Sequence, residues 1–248
     1  MNPSTSEKRA IFLIMIPRKE RYVCEGFASV VAYARKYNID LIVRHQNIHT
    51  TSDKFDMEKG TYPVMEKLAI GELLGIYDRI LYIDSDVLIT KHAPNIFEAY
   101  PGAAGLNESR FQTNVLHCYH QLFCTLGRID LPGFRDEKVG DRPFYYNGGV
   151  FLFDQKSRII FADMAMNLEV WRNKLQHIGW GEQSWFTYLL SKYKVPVSEM
   201  DPRFNFLLGL QNENVDKRLE AYFIHYTGPT PWHRDVLYED LKKPEILR

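Results

Sequence analysis

The segment Arg79-Ile80-Leu81-Tyr82-Ile83-Asp84-Ser85-Asp86-Val87-Leu88-Ile89 constrains the fold of this chain more than any other. A short apolar run bounded by polar residues reads as a buried strand. Two carboxylates at its end are costly unless a cation meets them, because an unpaired buried charge is strongly disfavoured. Asp84 and Asp86 stand two positions apart, so a turn between them lets both converge on one ion. Carboxylate oxygens suit hard divalent ions such as Mg²⁺ or Mn²⁺, which in turn grip phosphates. An Asp-x-Asp alone also fits a strand ending in two solvated aspartates; here it closes an eight-residue pattern, Leu81 to Leu88.

The segments before it set this strand in an α/β sheet. Ala10 to Ile16 is continuously apolar, as in a central strand covered on both faces. Phe27, Val30, Val31 and Ala34 recur at helical spacing and predict a helix over 22–37, followed by a strand at Leu41-Ile42-Val43. Strand, helix, strand opens a parallel α/β sheet. Met65, Leu68, Ala69 and Leu73 restore the helical period, and Gly75 is a helix stop. Ligands in open α/β sheets bind at the carboxyl ends of strands, where Asp84, Asp86 and the loop from Pro17 to Tyr22 fall. Beyond them, 102–106 predicts a short strand and 131–143 a surface loop. Residues 112–128 read as a partly buried helix with ordinary His and Cys rather than a metal site.

Phe144 to Asp154 is the second informative stretch: an aromatic cluster, then Asn147-Gly148-Gly149, then an apolar strand. Asn-Gly favours a tight turn; equally, two glycines let a ligand approach the backbone while Asn147 offers an amide. Gly179-Trp180-Gly181 precedes a helix opened by Glu182 and Gln183. An acid there is favoured by the helix dipole, and would also hold a carboxylate at the lip of a pocket. Ala221 to Gly228 predicts a last strand ending in His225, and the following Pro229-Thr230-Pro231-Trp232-His233 is rigid and aromatic. A histidine ending the same kind of strand as the aspartates is a candidate third metal ligand.

With 248 residues, 45% hydrophobic, the chain suffices for one large core. Lys+Arg and Asp+Glu are both 31, so no global field argues for nucleic acid, and no basic cluster argues for a membrane surface. Three cysteines without a Cys-x-x-Cys fit a reducing compartment, and no apolar stretch suits a signal peptide or a span. The expectation is a soluble, cytoplasmic chain with residues 1–9 disordered. Neither a Gly-x-x-x-x-Gly-Lys loop nor a dinucleotide fingerprint occurs, which leaves kinase and dehydrogenase readings without a motif.

Taken together the ordered motifs resemble retaining glycosyltransferases of family 8, the glycogenin and galactosyltransferase group, with the GT-A fold. Leu81 to Leu88 resembles the family's metal motif, and Tyr146-Asn147-Gly148-Gly149-Val150 its Asn-Ala-Gly-Val segment. Glu182-Gln183 sits where the family has Asp-Gln, and His225-Tyr226-Thr227-Gly228 with Pro231-Trp232 resembles its His-Phe-x-Gly-x-x-Lys-Pro-Trp. The resemblance implies a single GT-A domain whose mostly parallel central sheet is flanked by helices. It further implies a Rossmann-like nucleotide-binding half at about 10–106 and a sugar and acceptor half at 107–248. By the same resemblance Asp84, Asp86 and His225 hold Mn²⁺ (or Mg²⁺) against the diphosphate of a nucleotide sugar, expected to be a UDP-sugar. Asp84 and Ser85 lie near the ribose, Tyr22 stacks on uracil, and Lys67 stands near the donor. Gly148, Gly149, Gly228 and Trp232 line the donor, while Asn147, Glu182 and Gln183 face the sugar. The chain departs from the family in lacking the Lys before Pro231 and in carrying Glu182 for Asp.

The expected activity is metal-dependent transfer of a sugar, with retention, to a hydroxyl acceptor on a glycan or glycoconjugate. Two other classes use the same residues. One is a sugar-nucleotide-binding protein without transfer. The other is a nucleotidyltransferase or pyrophosphatase working through the same aspartates.

Overall fold

The computed structural model describes residues 7–15, 26–46, 63–111, 117–118, 121–122, 124, 138–139, 142–170, 181–210, 215–227, 231–243 and 246. Eleven strands form among them: β1 (Arg9–Ile14), β2 (Asp40–Arg44), β3 (Arg79–Ile83), β4 (Val87–Ile89), β5 (Ala104–Asn107), β6 (Lys138–Val139), β7 (Arg142–Pro143), β8 (Tyr146–Asp154), β9 (Ser198–Glu199), β10 (Phe206–Leu207) and β11 (Phe223–His225). The main sheet has six strands in the order β2-β1-β3-β8-β5-β9. β1 runs parallel to β2 and β3, and β9 parallel to β5, while β8 is antiparallel to both its neighbours. The expected mostly parallel α/β sheet is therefore present, with β8 reversed.

Period-two alternation explains why these runs are apolar throughout. Phe12, Ile80, Tyr82, Phe151 and Phe153 point into one core, with Ile70, Phe161, Met164, Phe186 and Leu189. Their neighbours Ile11, Leu13, Leu81, Ile83, Val150 and Leu152 point into the other, with Val30, Tyr33, Ile96 and Phe223. Both faces of the sheet are thus covered, one by helices Ala69–Leu73, Arg158–Met166 and Gly181–Lys192, the other by Phe27–Lys36 and Ile96–Ala99.

Several boundaries differ from the sequence expectation. The aspartate segment is two strands in two sheets: β3 belongs to the main sheet, while β4 joins the small sheet β10-β11-β4. Asn147-Gly148-Gly149 lies inside β8 rather than in a turn before it. The 131–143 loop contains the β6–β7 pair, and the helical period before Gly75 begins as a 3₁₀ turn, Pro63–Leu68. Pro231 opens a helix, Pro231–Asp240, as its fixed φ allows in a first turn. Residues 7–9 are engaged rather than disordered. Arg9 starts β1, and the buried Arg79 donates to Glu7 Oε2 at 2.6 Å.

Candidate active site

The main sheet meets the small one at the turn between β3 and β4, and the two aspartates sit there. Asp84 N–H donates to Gly149 O at 2.7 Å, and Tyr226 N–H to Asp86 O at 3.0 Å, so each aspartate is tied to a different sheet. The register of β11 on β4 sets His225 opposite Val87, beside them. His225 Nε2 lies 3.3 Å from Asp86 Oδ1 and 4.0 Å from Asp84 Oδ2. One ligand atom from each of the three falls within 4.8 Å of the others. Gly149 makes this approach feasible: a Cβ there would stand 2.1 Å from His225 Cε1 and 2.8 Å from Asp84 Oδ2. Two carboxylates and an imidazole are a hard-to-borderline donor set. They fit a small divalent cation.

Lys67 reaches the same place. Its ammonium is 2.8 Å from Glu182 Oε1, donates to Gly148 O at 2.9 Å, and lies 4.5 Å from the Tyr82 ring centroid. Burial presses the Lys67 pKa down, yet Glu182, Asp84 and Asp86 together raise it above its ordinary value. Burial pushes the Glu182 carboxyl up, further than Lys67 pulls it back, while Asp84 adds to the rise. The rise at Lys67 follows from the carboxylates that face it, and the rise at Glu182 follows first from its burial. The Tyr82 hydroxyl donates to Asp84 Oδ1, and burial with the nearby acids holds that phenol far above its ordinary pKa. For His225 burial opposes charging, but Asp86 and Asp84 outweigh it and raise the pKa.

Asp84, Asp86, His225, Lys67 and Glu182 line one cavity of about 530 Å³ with Glu108, Asn147, Gly148, Gly149, Gln183, Thr227, Trp232 and His233, within the size range of small-molecule sites. Asp84, Asp86, His225, Lys67, Glu182, Gln183, Asn147, Gly148, Gly149 and Trp232 are thereby brought together. Ser85 occupies the turn but is not among the lining residues. Tyr22 and Gly228 lie outside the described residues. Asn147 is more engaged than the sequence implies. Its Nδ2 donates to Glu108 Oε2 at 3.0 Å, and its Oδ1 accepts from Gly149 N and Asn205 Nδ2, each at 2.9 Å. Gln183 is held at both ends of its amide: Nε2 donates to Glu108 Oε2 at 2.7 Å, and Oε1 accepts from Gly148 N at 2.9 Å.

Sequence reasoning missed Glu108, Asn205, Gly209 and His233. Pro231 at the start of a helical segment was the available signal for His233. Gly209 has φ of +83°, a region that favours glycine. A Cβ on it would stand 3.2 Å from His233 Nε2 and 3.3 Å from Trp232 Cζ2, so its bareness admits that pair.

The sequence model of the family described as Glycosyl transferase family 8 matches residues 12–236. The chain belongs to glycosyl transferase family 8. It is a glycosyltransferase of that family, and among curated protein sequences none matches it. Solved structures share its fold at low identity. A glycosyltransferase involved in the glycosylation of the major capsid of PBCV-1 is 13% identical with a TM-score of 0.59, over 93% of this chain and 99% of that one. The galactosyltransferase LgtC, in complex with donor and acceptor sugar analogs, is 19% identical with a TM-score of 0.55, over 91% and 90%. The bifunctional glycosyltransferase WbbM is 15% identical with a TM-score of 0.55, over 96% of this chain and 52% of that one. No helix among the described residues is long and apolar enough to cross a membrane.

Proposed function

We propose that this family 8 member is a metal-dependent, retaining transferase moving a sugar from a nucleotide sugar, of the UDP class, to a hydroxyl of a glycan or glycoconjugate. The observation that carries this reading is the convergence of Asp84, Asp86 and His225 beside the Lys67–Glu182 pair in one cavity. Asp84, Asp86 and His225 would hold Mn²⁺ or Mg²⁺. Such an ion, when bound, supplies positive charge against the charge that develops on a leaving diphosphate. Lys67 fixes Glu182 and the Gly148 carbonyl in place. Glu182 anchors hydroxyls of the transferred sugar, with Gln183 positioned beside it. Asn147, three of whose four hydrogen-bonding sites are used internally, frames the site rather than gripping the sugar. Tyr22 stacks on the base, and Ser85, Gly228 and Trp232 complete the donor site. The nucleotide is held mainly by residues 10–106 and the sugar and acceptor by 107–248.

The test is calorimetric titration of UDP with and without Mn²⁺, alongside an assay of UDP release from UDP-sugars. Wild type is expected to bind UDP more tightly with the metal and to release UDP on transfer. Asp84→Asn and Asp86→Asn should each remove the metal-dependent part of binding with melting unchanged, since each carboxylate supplies charge as well as an oxygen. Full metal-dependent activity in both variants would sink the metal assignment. Release of nucleoside monophosphate and pyrophosphate would instead support the nucleotidyltransferase class.

A further inference from the structure

A chain of hydrogen bonds leads away from His225 through the interior. His225 Nδ1 lies 3.0 Å from Asn205 Oδ1, Asn205 Nδ2 donates to Asn147 Oδ1 at 2.9 Å, and Asn147 Nδ2 donates to Glu108 Oε2 at 3.0 Å. Glu108 sits in a 3₁₀ turn at the end of β5, and its backbone is tied by a 2.7 Å bond from its N–H to Tyr145 O. All four side chains are buried. The path crosses from the main sheet, through β5 and β8, to the small one, through the residues beside β10 and the end of β11.

A carboxylate oxygen accepts and a backbone N–H only donates, and these groups orient the amides between them. Glu108 requires the nitrogen of the Asn147 amide. The Gly149 N–H, 2.9 Å from Asn147 Oδ1, meets the oxygen on the other side, and Glu108 holds the nitrogen that would otherwise be left unpaired. Asn205 must then present its nitrogen to Asn147 and its oxygen to His225. That oxygen calls for a proton on His225 Nδ1, so the proton His225 gives up to become a ligand is the one on Nε2, which faces Asp86 Oδ1 at 3.3 Å and Asp84 Oδ2 at 4.0 Å. The same Glu108 oxygen accepts from Gln183 Nε2 at 2.7 Å, orienting that amide too.

We propose that Glu108 is the positioning residue of this site: acting through Asn147 and Asn205, it fixes His225 as the Nδ1–H tautomer and so makes Nε2 a metal ligand. The inference rests on the metal reading above for its consequence, though not for the tautomer. Partners one step behind a metal ligand commonly change metal affinity 10- to 100-fold.

Nitrogen-15 NMR of histidine-labelled, metal-free wild type at alkaline pH, with the His225 signal assigned by its loss in His225→Gln, should show the Nδ1–H form. A dominant Nε2–H form overturns the proposal, with no variant needed. In Glu108→Ala the tautomer should redistribute, and Mn²⁺ affinity measured by electron paramagnetic resonance should fall about 10- to 100-fold. Glu108→Gln keeps an acceptor oxygen and should recover most of both. Wild-type tautomer and wild-type Mn²⁺ affinity in Glu108→Ala overturn the proposal. Should that variant not fold, a tautomer lost in Glu108→Gln overturns it equally. A wild type that shows the Nδ1–H form and binds no Mn²⁺ upholds the relay and overturns the metal reading instead.

Discussion

Two buried ion pairs in this chain look alike in chemistry and differ in balance. Behind the Pro231–Asp240 helix, Asp240 is fully buried and accepts from Arg218 Nε at 2.7 Å and Nη2 at 2.9 Å, from Tyr226 Oη at 2.8 Å and from Lys243 Nζ at 3.0 Å. Burial raises the Asp240 pKa, but those donors outweigh it and hold the carboxyl below its ordinary value. In the cavity the ratio is inverted. One lysine, Lys67, faces Glu182, Asp84 and Asp86, His225 stands beside the two aspartates, and burial lifts Glu182 above its ordinary value despite Lys67. One acid surrounded by donors is a fastening. A lysine outnumbered by acids at the edge of a cavity is a place where further positive charge is stabilised, in keeping with a divalent ion among Asp84, Asp86 and His225. Coordinated substitutions at the two pairs should therefore separate stability from activity.

The largest effect belongs to the fastening. Asp240→Ala leaves Arg218 buried beside no bidentate partner, a situation that costs about 3–5 kcal/mol. Denaturant unfolding should register that loss. A change under about 1 kcal/mol, within the range of an exposed pair, would break the comparison at its first arm.

Next comes Glu182→Ala, expected to lower turnover by about 10²- to 10³-fold, the usual cost of removing a group that contacts the reacting centre, with UDP affinity intact. Glu182→Gln should keep measurable transfer if the residue anchors hydroxyls. Equal collapse of both variants with UDP still bound would assign it a charged catalytic role. Wild-type turnover in both would place it outside the site.

Gly149→Ala tests the geometry that joins the sheets. Its Cβ would meet His225 and Asp84 at 2.1 and 2.8 Å, and such overpacking costs about 1–3 kcal/mol. Because the imidazole is what must move, Mn²⁺ affinity should drop about tenfold or more, a tenfold change being about 1.4 kcal/mol. Unchanged Mn²⁺ affinity would mean that the His225 position does not matter for the ion.

This contrast also shows how far the sequence was legible. β1, β2, β3 and the helix opened by Gly181 were readable because apolar runs and helical spacing are local signals. Asp84, Asp86 and His225 stood out as candidates because Asp84 follows one apolar strand, Asp86 precedes the next and His225 ends a third. Sheet membership was not: the apolar character on both sides of Asp84-Ser85-Asp86 is the same, although β3 and β4 pair with different partners. Glu108 and Asn205 left no trace, since a Glu between Asn and Ser, and an Asn between two Phe, have no spacing that separates a turn from a relay. Their roles come from long-range contacts, 39 and 58 positions away in sequence for their bonds to Asn147. Asp240 was equally silent, because its partners Arg218 and Tyr226 come from other elements.

The smallest signal is a slope with pH, and its sign distinguishes the two pairs. Asp240 has a folded pKa depressed below its ordinary 3.8. Between those two values the unfolded chain binds more protons than the folded one, so stability rises with pH there. Its contribution is fully present above the ordinary value and is lost as pH falls through the folded pKa. Glu182 is raised above its ordinary 4.5. Over its window the folded chain binds more protons, and this group makes stability fall as pH rises. The stability gap between wild type and Asp240→Asn should accordingly be constant from neutral pH down to about 4 and shrink below it. The gap between wild type and Glu182→Gln should move the other way, widening in favour of the variant as pH rises from below 4.5. Both gaps are measurable by thermal melting in metal-free buffer across pH 3 to 7. If the two run in the same direction, Glu182 is as fully compensated as Asp240, and the contrast between the two pairs is absent.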